Sequence, residues 1–144
     1  MEIMETDAPL RVLRKEFSPN SGGAGRFRGG LGQEVEIEIA GTEPMILSLF
    51  LGGAVSPPRG FFGGSDGTCN TASLNGGEPL NAAERVQLRP GDRITLRYGG
   101  GGGMGPPQAR DPKLVRDDLH KGFITAAVAK DVYGFETSGV ADGA

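Results

Sequence analysis

Two glycine runs limit what this chain can fold into more than any other feature: residues 20–33 read NSGGAGRFRGGLGQ and residues 99–105 read GGGGGMG. Glycine loses more conformational entropy on folding than any other residue, so each run is a standing cost that some structure must offset. A phosphate cradle, a flexible linker and a backbone shape open only to glycine are the three readings. A phosphate loop needs a Lys and a Ser or Thr after its glycines, and neither run is followed by GK[ST]. The spacing GxGxxG does occur at Gly100, Gly102 and Gly105, but Pro106 and Pro107 follow where a helix N-terminus has to meet a pyrophosphate. In GAGRFRG the third glycine comes one residue late. The linker reading weakens because Arg26-Phe27-Arg28 interrupts the first run and alternating segments flank it. What remains is a shaped loop in which backbones pass closely or adopt positive φ.

The flanking segments read as β structure. Leu10 to Phe17 is a strand ended by Pro19-Asn20, with Leu10, Val12 and Arg14 on one side, and Glu34 to Ile39 alternates Val35, Ile37 and Ile39 against three glutamates. Met45 to Leu51 is continuously apolar and reads as a strand buried on both faces. Residues 52–78, rich in Gly and Pro, read as a long ordered loop carrying Phe61-Phe62 as a buried plug. A short strand at Glu84 to Leu88, the turn Arg89-Pro90-Gly91-Asp92 and a strand Arg93 to Tyr98 follow. Asp111-Pro112 caps a helix over 112–121 stopped by Gly122, and Thr125 caps a second helix closed by Gly134. The expectation is a mainly β, single-domain chain over residues 1–144: an antiparallel sandwich or barrel-like sheet with two short C-terminal helices, α+β being the alternative, with flexible ends at 1–8 and 136–144. Leu, Ile, Val and Phe supply 33 of the 144 residues, enough for a core despite 36 Gly and Pro.

Charge excludes some partners. With 15 Lys and Arg against 18 Asp and Glu, the net charge is −3 and the pI about 5.2, so nucleic acid is not expected as the principal partner. No stretch approaches the ~20 apolar residues of a membrane span, the start MEIMETDAPLR is acidic, and Cys69 is alone, so the expected setting is cytoplasmic and reducing, with no membrane partner.

Candidate chemistry is sparse. Arg26 and Arg28 alternate around Phe27 among Gly22, Gly23, Gly29 and Gly30, an arrangement suited to a carboxylate or phosphate, or to an interface. The plainer alternative pairs both arginines with the glutamates of 34–38 across a hairpin. His120, the one histidine, stands at a helix end where a cation favours the dipole. One His and one Cys make neither a zinc site nor a Cys-His pair, and Cys69 has no identifiable base. Asp66, Asp92, Asp111, Asp117 and Asp118 fall in turns or on the helix with no spacing that argues a carboxylate pair. No catalytic residue is assigned, and no metal or cofactor is expected on this chain.

Taken in order, SPNSGGAGRFRGGLGQ, FFGGSDG, LRPGD, GGGGGMG and ARDPKLVRDDLHKGFITAAVAKDVYG resemble, over residues 9–135, the C-terminal part of the hydantoinase B family. These are the second large subunits of ATP-dependent N-methylhydantoinases and 5-oxoprolinases, related to acetone and acetophenone carboxylase subunits. The family's run usually reads like GGGGYGDP; here Met104 takes the place of the aromatic and Pro106-Pro107 that of Asp-Pro. The resemblance implies a structural and interface-forming domain of a cyclic imide or lactam hydrolase, inactive alone. It implies two partners in a hetero-oligomer: a hydantoinase A-type subunit holding ATP with Mg, and the rest of the B-type subunit. A stand-alone scaffold and a fragment of a ketone carboxylase are the alternatives.

Overall fold

A computed structural model describes residues 8–136, and the frayed ends expected at the two termini lie almost wholly outside them. Six strands form in chain order: β1 (Leu10–Phe17), β2 (Gln33–Ile39), β3 (Met45–Phe50), β4 (Thr71–Leu74), β5 (Ala83–Leu88) and β6 (Arg93–Tyr98). A 3-10 turn at Pro107–Ala109 leads to helices α1 (Pro112–His120) and α2 (Ala126–Asp131). The strands make an antiparallel four-stranded sheet ordered β1-β2-β6-β4 and a two-stranded sheet β3-β5. The arrangement is an open sandwich rather than a closed barrel. Among the described residues no helix is long and apolar enough to cross a membrane.

Alternation on β2 sets the two faces of the larger sheet. Ile37 and Ile39 point inward with Ile94 of β6, and Leu88 of β5 meets them from the second sheet, giving a core to which Leu10, Met45, Leu47 and Leu74 add. Glu34, Glu36 and Glu38 point the other way. A register shift between Val12 and Arg14 puts a bulge at Leu13, and a bulge turns later side chains over. Arg14 therefore faces Glu36 rather than continuing the Leu10 and Val12 side. The polar face becomes an ion-pair ladder, with Arg11 and Arg14 on one flank of the glutamates and Arg93 and Arg97 on the other.

Three expectations need correction. β3 is buried on one face only, because its sheet has just one neighbouring layer, and Ile46 and Phe50 are exposed. Phe61 and Phe62 are not a plug: they are 63% and 84% exposed. The expected loop over 52–78 contains β4, whose TASL lacks a strong β pattern and is drawn into the sheet by pairing with β6.

The glycine runs form a second layer of structure built mainly from backbone, into which only a few polar side chains such as Ser21 and Thr68 reach. Residues 99–103 run through the middle, and segments near 21–25, 29–32, 59–60 and 64–68 surround them. Gly23 N–H donates to Gly101 O (2.8 Å), Gly101 N–H to Gly30 O (2.9 Å), Gly103 N–H to Ser65 O (2.9 Å) and Ser65 N–H to Ala24 O (2.7 Å). A Cβ on Gly100 would strike the backbone at Ser21 and one on Gly103 the backbone at Ala24. Gly100 and Gly103, three residues apart, thus meet the same neighbouring segment, while Gly99 and Gly102 meet Thr68 and Arg59 on other sides. These central glycines do not need positive φ; their requirement is close backbone approach.

The helices are set by their caps. Asp111 accepts from Lys113 N–H, Thr125 accepts from Val128 N–H, and Gly122 and Gly134 take positive φ after the helices, as their sequence predicts. Val115, Ile124, Ala129 and Tyr133 form a second small core, against which Ala24 of the glycine layer packs. Asn20, itself at φ 60, clasps the helical hairpin: its N–H donates to Phe123 O and its Oδ1 accepts from Thr125 N–H.

Gly23→Ala should lower stability by at least about 2 kcal/mol, because its methyl would enter the Ser65 carbonyl. Gly30→Ala, with nothing within 4 Å of its Cβ, should stay within about 0.5 kcal/mol. Denaturant midpoints of the two variants check this, and equal midpoints would contradict the close-packed layer. A second expectation concerns Asp92, whose carboxylate accepts from Arg89 N–H (2.7 Å) and Asn75 Nδ2 (2.9 Å). The Arg89 N–H, and then Asn75, hold its carboxyl below the ordinary 3.8. A lowered native pKa stabilises the fold above the ordinary value, and that contribution disappears as pH falls through the lowered one. Asp92→Asn should flatten the acid limb of the stability profile below about pH 4, measured by thermal melts across pH.

Candidate functional site

The residues singled out in the first glycine run separate into distinct environments. Gly22, Gly23 and Gly29 lie against backbone carbonyls inside the glycine layer, whereas Gly30 is open. Arg26 is exposed, its guanidinium 5.5 Å from the Phe27 ring centre. Arg28 points into the molecule. Its Nε donates to Asp118 Oδ2 (3.0 Å), an Nη to Asp118 Oδ1 (3.2 Å) and the other Nη to Gly29 O (2.7 Å). The expected pairing of Arg28 with the glutamates of β2 does not form, because those glutamates are taken by arginines of β1 and β6, the strands directly beside them.

Asp118 also accepts from Arg110 Nη (2.8 Å), and Arg110 reaches on to Arg26 O (3.2 Å). Two guanidiniums therefore share one carboxylate, with all three side chains nearly buried. This clamp binds α1 to the glycine run across 90 residues of sequence. Arg28 lies over Phe123 at 5.6 Å, and Tyr133 packs close by. Burial pushes the Tyr133 hydroxyl up, against the opposing pull of the Arg110 and Arg28 cations. The sequence offered one signal for Asp118: it lies three residues after Val115, hence on the same helix face, and that face is buried. Arg110 gave no such signal.

Most amides of the second glycine run are committed within the protein. Gly99 N–H donates to Asn70 Oδ1, Gly100 N–H to Thr68 Oγ1, and those of Gly101, Gly103 and Gly105 to backbone carbonyls. Asp66 accepts from Gly60 N–H (2.7 Å), and Asp111 is a helix cap. His120 is exposed at the end of α1. Among the described residues no group of three His, Cys, Asp or Glu side chains is placed to hold a metal ion.

Concave regions lie on both faces of the larger sheet. A polar groove of 530 Å³ lies where the charged face of the sheet meets the glycine layer, lined among others by Glu34, Arg97, Thr71, Thr68, Cys69 and Tyr98. Arg14 and Arg97 both pair with Glu34 there, so the charges of its floor are balanced within the protein. The Cys69 thiol is free and half-buried. A second groove of 410 Å³ follows the inner face of the sheet past the cover of β3 and β5, over Val35, Ile37, Leu96 and Tyr98, with Lys15 and Gln33 also in its lining.

Residues 1–107 match the family described as Hydantoinase B/oxoprolinase. The chain is 34% identical over 140 residues to the putative B-type subunit of a D-/L-hydantoinase from a Pseudomonas strain, a match covering 93% of this chain and 23% of that protein. It is 28% identical to the acetone carboxylase alpha subunit of Xanthobacter autotrophicus, over 99% of this chain and 23% of that protein. The solved structure of the ATP-dependent caprolactamase from Pseudomonas jessenii superimposes with a TM-score of 0.77 at 25% identity, over 98% of this chain and 26% of that one. The chain thus spans about a fifth to a quarter of the length of such relatives.

Asp118→Asn should lower stability by about 3–5 kcal/mol, since it leaves two buried guanidiniums without their counter-charge. Glu38→Gln on the exposed ladder should change it by no more than about 1 kcal/mol. Chemical denaturation of both variants distinguishes a clamp from an ordinary surface pair.

Proposed function

Because the chain belongs to the hydantoinase B/oxoprolinase family, we propose that it is one domain of an ATP-dependent hydrolase of cyclic imides or lactams, and that its own part is structural and interface-forming. The observation that carries this is the half-covered sheet. β3 and β5 close only part of the inner face, and Val35 and Leu96 continue it as an open groove beyond them, lined also by Lys15 and Gln33. Leaving such area in water forgoes roughly 25 cal/mol for each Å² that a neighbouring domain would bury. The glycine layer supplies the complementary property, a backbone block whose shape is held by carbonyl contacts rather than by movable side chains.

In this reading ATP, with Mg, is handled by a hydantoinase A-type partner, in keeping with relatives that are subunits and with an ATP-dependent caprolactamase among the similar structures. The loop from Gly22 to Gly32 forms part of the wall or interface. Gly22, Gly23 and Gly29 fix its course, Gly30 and Arg26 stand at its open side, and Arg28 anchors it through Asp118. The similarity to an acetone carboxylase subunit supports a second reading, in which the assembled enzyme carboxylates a ketone.

The test combines the chain with the rest of a B-type subunit and an A-type subunit, and follows ATP hydrolysis together with ring opening of a lactam, 5-oxoproline or a hydantoin. Turnover is expected only from the complete mixture. Turnover that requires bicarbonate and a ketone selects the carboxylase reading. A complex that forms and catalyses neither reaction supports a non-catalytic scaffold instead.

A further inference from the structure

At one end of the glycine layer three chain segments meet as adjacent rungs. Phe27 N–H donates to Met104 O and Met104 N–H to Phe27 O, both at 2.9 Å, while Phe61 N–H donates to Gly103 O and Gly105 N–H to Phe61 O, also at 2.9 Å. Side chains of directly paired residues stand side by side, yet Phe27, Met104 and Phe61 are 56%, 43% and 63% exposed. Phe62 follows at 84%. Gly64 N–H closes a turn on Phe61 O (2.9 Å), and both central residues have positive φ, Phe62 at 50° and Gly63 at 88°. Such a turn takes Gly, Asn or Asp at its first central position, and a bulky aromatic in the left-handed region is an outlier that stores strain. The fold therefore holds an aromatic ring outward at an energetic cost, on a platform where Gly60 and Gly64 are pressed against neighbouring backbone and cannot easily yield.

Charge narrows the partner. Arg26 lies over Phe27, Arg59 is two residues before Phe61, and neither has a carboxylate partner among the described residues. Exposed aromatic side chains with arginines, fixed on a rigid support, have the composition of an interface hot spot. From this, and from relatives that extend to about four times the length matched here, we infer that the Phe27, Phe61, Phe62 and Met104 surface docks a segment of the remaining B-type polypeptide that carries apolar side chains flanked by carboxylates. The inference rests on the reading of this chain as one domain of such a subunit.

The experiment uses the full chain, co-expressed with the beta subunit of the Pseudomonas jessenii caprolactamase from which the matching quarter has been removed. Co-purification and titration are read without ATP, so this outcome is independent of whether the assembly turns over. Phe62→Gly should raise the Tm of the chain by about 2–6 °C as strain is relieved, and should weaken binding at least about tenfold. Arg26→Glu should leave the Tm unchanged and weaken binding too, with the loss shrinking at high salt. Opposite movement of stability and affinity in Phe62→Gly is the signature that a purely structural role does not produce. Undiminished binding by both variants overturns the proposal. So does absence of binding by the unaltered chain, or self-association of the chain through this surface in sedimentation.

Discussion

At the centre of this molecule five chain segments lie closer together than side chains permit. Methyl groups on Gly99, Gly100, Gly102 or Gly103 would each enter a neighbouring backbone, at Thr68, Ser21, Arg59 and Ala24 respectively. Backbone carbonyls, with the side chains of Ser21, Thr68 and Asn70, take up most of the amides across the layer without a sheet ladder, as buried peptide groups require. The entropy lost by so many glycines is offset by that interlocking, and the geometry leaves little freedom at the surface. Loops that would otherwise be mobile, such as the one carrying Phe61 and Phe62, are held by the glycines at 60 and 64.

The rest of the structure is attached to this layer at three places. β1 and β2 feed the first run and β6 feeds the second, so the four-stranded sheet and the glycine layer are continuous along the chain. Asn20 clasps the turn between the helices. The Arg28, Asp118 and Arg110 clamp joins α1 to the run with charge-assisted bonds away from water, where losing one partner is far more damaging than on an exposed face. By contrast the Glu and Arg ladder on β1, β2 and β6 is solvated, so it keeps that face wet and adds little stability. Function in the proposed sense follows from this asymmetry: a frame held by close backbone contact and a buried ion-pair clamp beside exposed apolar surfaces.

Much of this was legible locally. The alternation of Val35, Ile37 and Ile39 with glutamates is a two-residue period that only a half-buried strand satisfies, and β2 spans it. Asp111-Pro112 and Thr125 carry their own cap chemistry and both helices start there, while α1 stops at His120 just before Gly122 and α2 at Asp131, three residues short of Gly134. The glycine motifs, taken in order with LRPGD and the helical segment, also pointed to the family. What misled was context. MILSLF does not say how many layers will cover it, and β3 has only one. TASL has no pattern of its own and becomes β4 through β6. An adjacent Phe pair in a Gly-rich loop suggests burial, and the turn at Phe62 and Gly63 instead directs it to the surface.

The amino-acid sequence by itself determined the strands with strict alternation, the helix starts and the demand for close backbone contact in the two runs, because each depends on neighbours a few residues apart. Only the tertiary structure decided what those runs touch, that Arg28 meets Asp118 rather than the nearby glutamates, and that the aromatic residues beside Met104 remain in water. Those outcomes join positions as much as 90 residues apart. They arise from competition among arginines for the available carboxylates and from the area one small sheet can cover, and neither quantity exists until the segments are packed together.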